Sequence, residues 1–204
     1  MMLKTYSINR TSQKQTAPAT RREIGLVMEA LKDRSREHAA VLQACKTAGR
    51  WGAIQGLTAE NLLLVNLQHI VMHFTAGKTP SRDPYKAYAL VGIEDANDMG
   101  RIAQILSSRK ADNPASTQLT TMNMHQMICE LKQANPALIA HSIKRGALNF
   151  LTACAAQNQL KKKCIPLLAK HGDGKATLHN TIRYITEHVP LAKMIGTQKA
   201  TRLL

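Results

Sequence analysis

The chain has 204 residues and carries 28 Lys and Arg against 13 Asp and Glu, a formal charge of +15; 44% of it is hydrophobic but only 3% aromatic. That length accommodates one domain, or one with an appendage, around a sizeable core. The charge favours polyanionic partners, nucleic acid before an anionic membrane, while the absence of a membrane-length apolar run or a signal-peptide core predicts a soluble intracellular protein.

Residues 1–19 are rich in Ser, Thr and Gln and hold Lys4, Arg10 and Lys14 without an acidic residue, which reads as a flexible basic arm or linker remnant. Thr20-Arg21-Arg22-Glu23 matches a capping box, and Ile24, Val27, Met28 and Leu31 follow at helical spacing. A second helix is predicted from Ser35, with Ala48-Gly49 as its stop, placing Arg50 at a helix end or tight turn. Leu57 to Asn66 is apolar without a clear period. From His69 the period becomes two, with Ile70, Met72 and Phe74 alternating against His69, Val71 and His73, so a strand is predicted up to Gly77-Lys78-Thr79-Pro80. Tyr85 to Val91 reads as its returning partner. His69-x-x-x-His73 lacks the glutamate of a zincin and lies on a strand, so no metal is assigned.

Asp95 is a cap for a helix bearing Met99, Ile102, Ala103 and Leu106. Another helix carries Met124, Met127, Ile128 and Leu131 and stops at Asn135-Pro136; its methionines read as core filling. From His141 a helix places Ile143, Ala147, Phe150, Leu151 and Cys154 on one side. Lys161-Lys162-Lys163 precedes a short helix to His171. The last helix has Leu178, Ile182, Ile185 and Val189 as its apolar stripe, with Tyr184 about 100° away and so offered to a surface or cleft. Cys45, Cys129, Cys154 and Cys164 contain no C-x-x-C pair and sit in apolar-periodic segments, as expected of buried free thiols in a reducing compartment.

In chain order, Thr47-Ala48-Gly49-Arg50, a hairpin with Lys78 in its turn, His141-Ser142-Ile143-Lys144-Arg145-Gly146, Leu168-Ala169-Lys170-His171 and Ile182-Arg183-Tyr184-Ile185 resemble the motifs of the tyrosine recombinases, the phage-integrase-like family. The resemblance spans roughly Glu23 to Tyr184, and the wording around His141 is similar to the DIRS-like and VIPER-like retroelement branch. Lys144 stands at the family's second arginine and Ala53 at its usual acidic residue, and His171 lies farther from Tyr184 than in the family's spacing. The resemblance implies a mainly α, α+β fold: a helical catalytic domain with a small antiparallel sheet over residues 20–190. It leaves a tail, 191–204, to be exchanged between subunits or docked on its own core. The implied activity is DNA strand cleavage and rejoining, in recombination or integration of a mobile element, with double-stranded DNA as partner, self-association on it, and a nuclear location if the source is a eukaryotic retroelement.

The resemblance also assigns roles. Tyr184 attacks a DNA phosphate and forms a 3′-phosphotyrosyl link. Arg50, with Lys144 or Arg145, stabilises the charge that builds on the non-bridging oxygens, each donor worth roughly 3–4 kcal/mol. Lys78 protonates the leaving 5′-oxygen, His141 assists proton movement and His171 hydrogen-bonds the phosphate. Arg82, Lys161, Lys162, Lys163 and Lys175 are candidates for contact with flanking phosphates. No metal and no other cofactor is implied. Two alternatives stay open: a DNA-binding module without catalysis on the same fold, and an unrelated basic helical protein that binds nucleic acid.

If the charge serves DNA binding, the logarithm of affinity for duplex DNA falls with the logarithm of salt concentration by roughly 0.9 per phosphate neutralised. Deleting residues 1–19 is expected to weaken binding and flatten that slope. Fluorescence anisotropy across a salt series measures both; a flat dependence excludes the nucleic-acid reading.

Overall fold

The computed structural model describes residues 16–75, 88–107 and 118–157. Helix α1 (Arg21–Ala30) starts at the predicted box: Thr20 Oγ1 accepts the Glu23 N–H at 3.2 Å, and Glu23 Oε2 accepts the Thr20 N–H at 2.7 Å. A cap of this kind is worth about 1 kcal/mol. Helix α2 (Ser35–Lys46) ends in a turn that departs from expectation. Ala48, not Gly49, occupies the left-handed region, with φ 45°. Thr47 Oγ1 donates to the Gln43 carbonyl at 2.7 Å, and the Gly49 N–H closes the turn on the Ala44 carbonyl at 2.9 Å. Gly49 is needed for room instead: a Cβ there would lie 2.9 Å from Thr47 Oγ1 and 3.0 Å from Ile54 Cδ1. The turn delivers Arg50 in extended conformation as the residue preceding helix α3 (Trp51–Gln55), which Trp51 and Ile54 anchor in the core.

Leu57 to Asn66, aperiodic in sequence, resolves into a 3₁₀ turn (Ala59–Asn61) and a strand, β1 (Leu62–Asn66). Strands β2 (His69–His73) and β3 (Tyr88–Gly92) complete an antiparallel meander in the order β1-β2-β3. Leu62 pairs with Met72, and Met72 with Ala89, which puts Leu62, Ile70, Met72, Ala89 and Val91 on one buried face. The fold is therefore mainly helical with one small antiparallel sheet, as expected, but with a strand more than the two read from sequence.

Asp95 Oδ1 accepts the N–H groups of Asn97 and Asp98, at 2.8 and 3.0 Å, to start helix α4 (Ala96–Ser107). Its buried stripe is Met99, Ile102 and Ile105; Ala103, expected in the stripe, is exposed. Helix α5 (Met124–Ala134) begins at the Asn123–Gln126 box and buries Met127 and Leu131. Met124 at its start is 42% exposed, so the expectation of a wholly buried methionine stripe fails there. Cys129 on the same helix is exposed as well, its Sγ 3.7 Å from His125 Nε2, which corrects the expectation of buried thiols. Cys154 is buried and Cys45 half-buried, burial pushing the Cys45 thiol up to about 12. Cys164 lies outside the described residues.

Helix α6 (Ala140–Ala156) buries Ile143, Ala147, Leu148, Leu151 and Cys154, and Phe150 carries the Arg21 guanidinium 4.8 Å above its ring. Helix α1 packs on α5 and α2, and α2 on α3, α4 and α6, so helices and sheet share one core. Buried His38 ties three helices: its Nδ1 lies 3.0 Å from the Met28 carbonyl at the end of α1 and its Nε2 2.8 Å from Asp98 Oδ1 on α4. Arg34, at the start of α2, pairs with Glu130 on α5 at 2.8 Å.

The segment ahead of α1 locks onto α6. Ala19 is buried, its N–H donates to the Ser142 carbonyl at 3.0 Å, and its own carbonyl oxygen occupies the space that a Cβ on Gly146 would take. Gly146→Ala is therefore expected to destabilise the fold by about 1–3 kcal/mol. Gly100→Ala in α4, where nothing lies within 4 Å, should instead stabilise by about 0.5–1 kcal/mol. Urea denaturation of the two variants against the parent chain measures both, and equal effects would show that Ala19 does not hold α6.

Candidate active site

Two short elements bring the basic groups together. The tight turn after α2 and the first turn of α6 bring Arg50 and His141 into the lining of one cleft of about 540 Å³. The rest of the lining is mainly apolar: Trp51, Ala53, Met124, Ile128 and Ile139. Arg50 is exposed, His141 half-buried, and Lys144 and Arg145 buried at 3% and 5% exposure.

Helical geometry explains why three of these groups share a face. At about 100° per residue, Lys144 falls roughly 60° to one side of His141 and Arg145 roughly 40° to the other. The histidine is thus flanked by two cations on its own helix, and Arg50, from another element, lines the same cleft. Burial, then the charges of Lys144, Arg50 and Arg145, hold its imidazole below the usual histidine range. Burial, with Arg50 adding to it, brings the Lys144 ammonium down to about 7 from 10.5. An anion among these groups would relieve each of these repulsions, and the arrangement is that of an anion-binding site.

Trp51 carries no functional signal in the sequence. Its indole N–H is buried, finds no hydrogen-bond partner among the described residues, and belongs to a side chain lining the same cleft next to Arg50. A tryptophan directly after the arginine reads as an ordinary core residue, so only tertiary placement marks it. Ala53 also lines the cleft, with a methyl group where the resemblance expects a carboxylate, so Arg50 meets no acidic partner from that position.

Arg50, His141, Lys144 and Arg145 are brought to one place. Lys78, Arg82, Lys161, Lys162, Lys163, His171, Lys175 and Tyr184 lie outside the described residues, as does the tail 191–204. Among the described residues no cluster of His, Cys, Asp or Glu could hold a metal ion, and no helix is long and apolar enough to cross a membrane. His69, considered for a metal, is buried with its Nδ1 3.0 Å from Asn66 Oδ1.

No family model matches the chain, and no curated protein matches it in sequence. The similarity appears in three dimensions. XerA recombinase superposes with a TM-score of 0.61 at 14% identity, over 88% of this chain and 62% of that one. The XerH site-specific recombinase, in a post-cleavage complex with palindromic difH substrate, gives 0.56 at 13% identity over 87% of this chain and 52% of that one. The Tn1549 transposon integrase, in complex with transposon right end DNA, gives 0.53 at 14% identity over 86% and 63%. The chain thus has the fold of a tyrosine-recombinase catalytic domain and spans about half to two thirds of the length of these proteins.

The depressed Lys144 ammonium fixes a sign for pH dependence. Between pH 7 and 10.5 the unfolded chain holds a proton that the folded chain has released, so this group makes stability rise with pH across that window and level off below it. His141, lowered from 6.5, acts in the same direction at lower pH. Lys144→Met is expected to remove the Lys144 window and to stabilise the chain at pH 7 by up to about 4 kcal/mol. Chemical denaturation from pH 6 to 10 checks this; a parent chain whose stability falls over that range would overturn it.

Proposed function

We propose that the chain cleaves and rejoins DNA strands as a tyrosine recombinase. The observation that carries the reading is that Arg50 and His141 line one cleft of a recombinase-like fold while the charges of Arg50, Lys144 and Arg145 all act on His141. A cluster of positive groups crowded around a histidine, without metal-holding carboxylates among the described residues, suits a phosphodiester whose charge grows in the transition state.

In this reading Tyr184 supplies the nucleophile. Its phenolic oxygen bonds to the phosphorus, the bond from phosphorus to the 5′-oxygen breaks, and the DNA 3′ end remains on the tyrosine. The leaving 5′-oxygen takes a proton from Lys78, and His141 receives the phenolic proton, a role its lowered pKa favours. Arg50 and Arg145 supply permanent charge. Lys144, brought down to about 7 and so only about half protonated at neutral pH, takes up a proton as the phosphate arrives. The Trp51 indole N–H, buried and without a partner among the described residues, is a further candidate donor. Arg82, Lys161, Lys162, Lys163 and Lys175 contact flanking phosphates, and several copies act together on one DNA. Assignment to the retroelement branch rests on the His141–Gly146 wording alone.

A specific observation favours a second reading, a DNA-binding module without catalysis. Lysine at 144 offers a point charge where arginine would hold two oxygens in a planar fork, and burial makes that charge conditional on pH. A suicide duplex with a nick near the cleavage position separates the two. An enzyme leaves a covalent protein–DNA adduct that disappears in Tyr184→Phe and, if Lys144 occupies the phosphate-clamping position, increases about tenfold or more in Lys144→Arg at unchanged non-covalent affinity. Binding with no adduct in either chain establishes the second reading.

A further inference from the structure

We infer that the free edge of β1 is a contact between two copies of this chain, made antiparallel about a twofold axis; the inference rests on the proposed function for the setting in which the copies meet. Leu63, Leu64, Val65 and Leu67 are 62%, 41%, 53% and 84% exposed, which makes β1 and its turn the most apolar exposed stretch among the described residues. The register extends it: Leu63 pairs with Val71 and Val71 with Leu90, so an apolar row crosses the outer face of the sheet to the edge strand. Four such side chains leave roughly 400 Å² of apolar surface, the size of patch that on soluble proteins marks an interaction site.

The charge distribution indicates the class of partner. Residues 61–75 and 88–93 contain no Lys, Arg, Asp or Glu, in a chain that has 28 basic residues. The free edge of β1, away from the basic residues Lys78, Arg82 and Lys86 that link β2 to β3 in sequence, is therefore uncharged, and there two copies of a +15 chain meet with least direct repulsion. Apart from one register irregularity between Leu64 and Asn66, β1 has none of the devices that discourage edge pairing: no proline, no charge and no neighbouring strand beyond it among the described residues. Antiparallel pairing across a twofold axis is self-complementary, each copy giving the edge that the other accepts.

Area sets the strength. Two such stripes bury at most about 800 Å² together, short of the roughly 1,200 Å² of a stable interface. The contact is therefore weak between free chains and forms when DNA neutralises their charge and holds two copies side by side.

The test compares the parent chain with the double variant Leu63→Gln/Val65→Thr, which keeps strand-compatible residues and adds no charge. Mass photometry counts copies on mixed-sequence duplexes of 20 and 60 base pairs. The expected result is equal one-copy binding to the short duplex, and a tenfold or greater loss of the two-copy complex on the long one, with thermal stability unchanged. A two-copy complex that survives in the variant, or a parent chain that never pairs on the long duplex, overturns the inference. So does a variant that loses stability without DNA, because the apolar residues are then covered by the chain's own remaining segments. Should the parent chain bind no DNA, the proposed function fails, and the contact is read separately by sedimentation at high protein concentration in 1 M salt, which screens the charge. A dimer present in the parent and absent in the variant sustains the contact; a monomeric parent overturns it.

Discussion

Like-charge crowding around His141 is the constraint on which the rest of this structure depends. Arg50, Lys144 and Arg145 all act on the imidazole, and Lys144 and Arg145 are almost fully withdrawn from water. Withdrawing an ammonium and a guanidinium from water is costly. The cluster stays together because α6 is held from its other side. Ile143, Ala147, Leu148 and Leu151 bind it to the core, and the Ala19 backbone fits against Gly146, where no side chain intervenes. The apolar face of the helix thus sustains the strain of its basic face.

That division of labour explains the elements around it. The α2–α3 turn tolerates an alanine in the left-handed region because Thr47 and Gly49 close it with two hydrogen bonds, and the result is an arginine in the lining of the cleft. His38 and Asp98 pin α2 to α4, with the hydrogen bond from His38 holding the Asp98 carboxyl below its usual range. These connections make the spacing between α3 and α6 a property of the whole helical core. A site assembled from two elements remote in sequence can be preorganised only in this way.

The mainly apolar lining of the cleft sharpens the electrostatics. With Trp51, Met124, Ile128 and Ile139 around Arg50 and His141, any anion in the cleft would be attracted more strongly than in open solvent. Ala53 adds a methyl group and no charge to that lining. Lys144, withdrawn from water and repelled by Arg50, yields its proton more easily than a lysine in water.

Much of this was legible in the chain itself, because local rules act over a few residues. Capping at Thr20, Asp95 and Asn135-Pro136, the two-residue period from His69, and the apolar stripe after His141 each specified an element on its own. The order of the basic motifs carried the recombinase resemblance and with it the mainly helical class. What the chain could not show was anything decided by a neighbour distant in sequence. β1 has no period because Leu62 faces the core while Leu63, Leu64 and Val65 stay exposed on an edge strand, a difference set by what lies across the sheet. Cys129 and Ala103 lie on the wet side of stripes that composition alone would bury. Gly146 reads as a helix-weakening residue until Ala19 is found against it, and Lys144 as an ordinary cation until the core is seen to close over it. Patterning determined which segments are helices and strands; only packing decided which groups lose their water, and loss of water is what changes their chemistry.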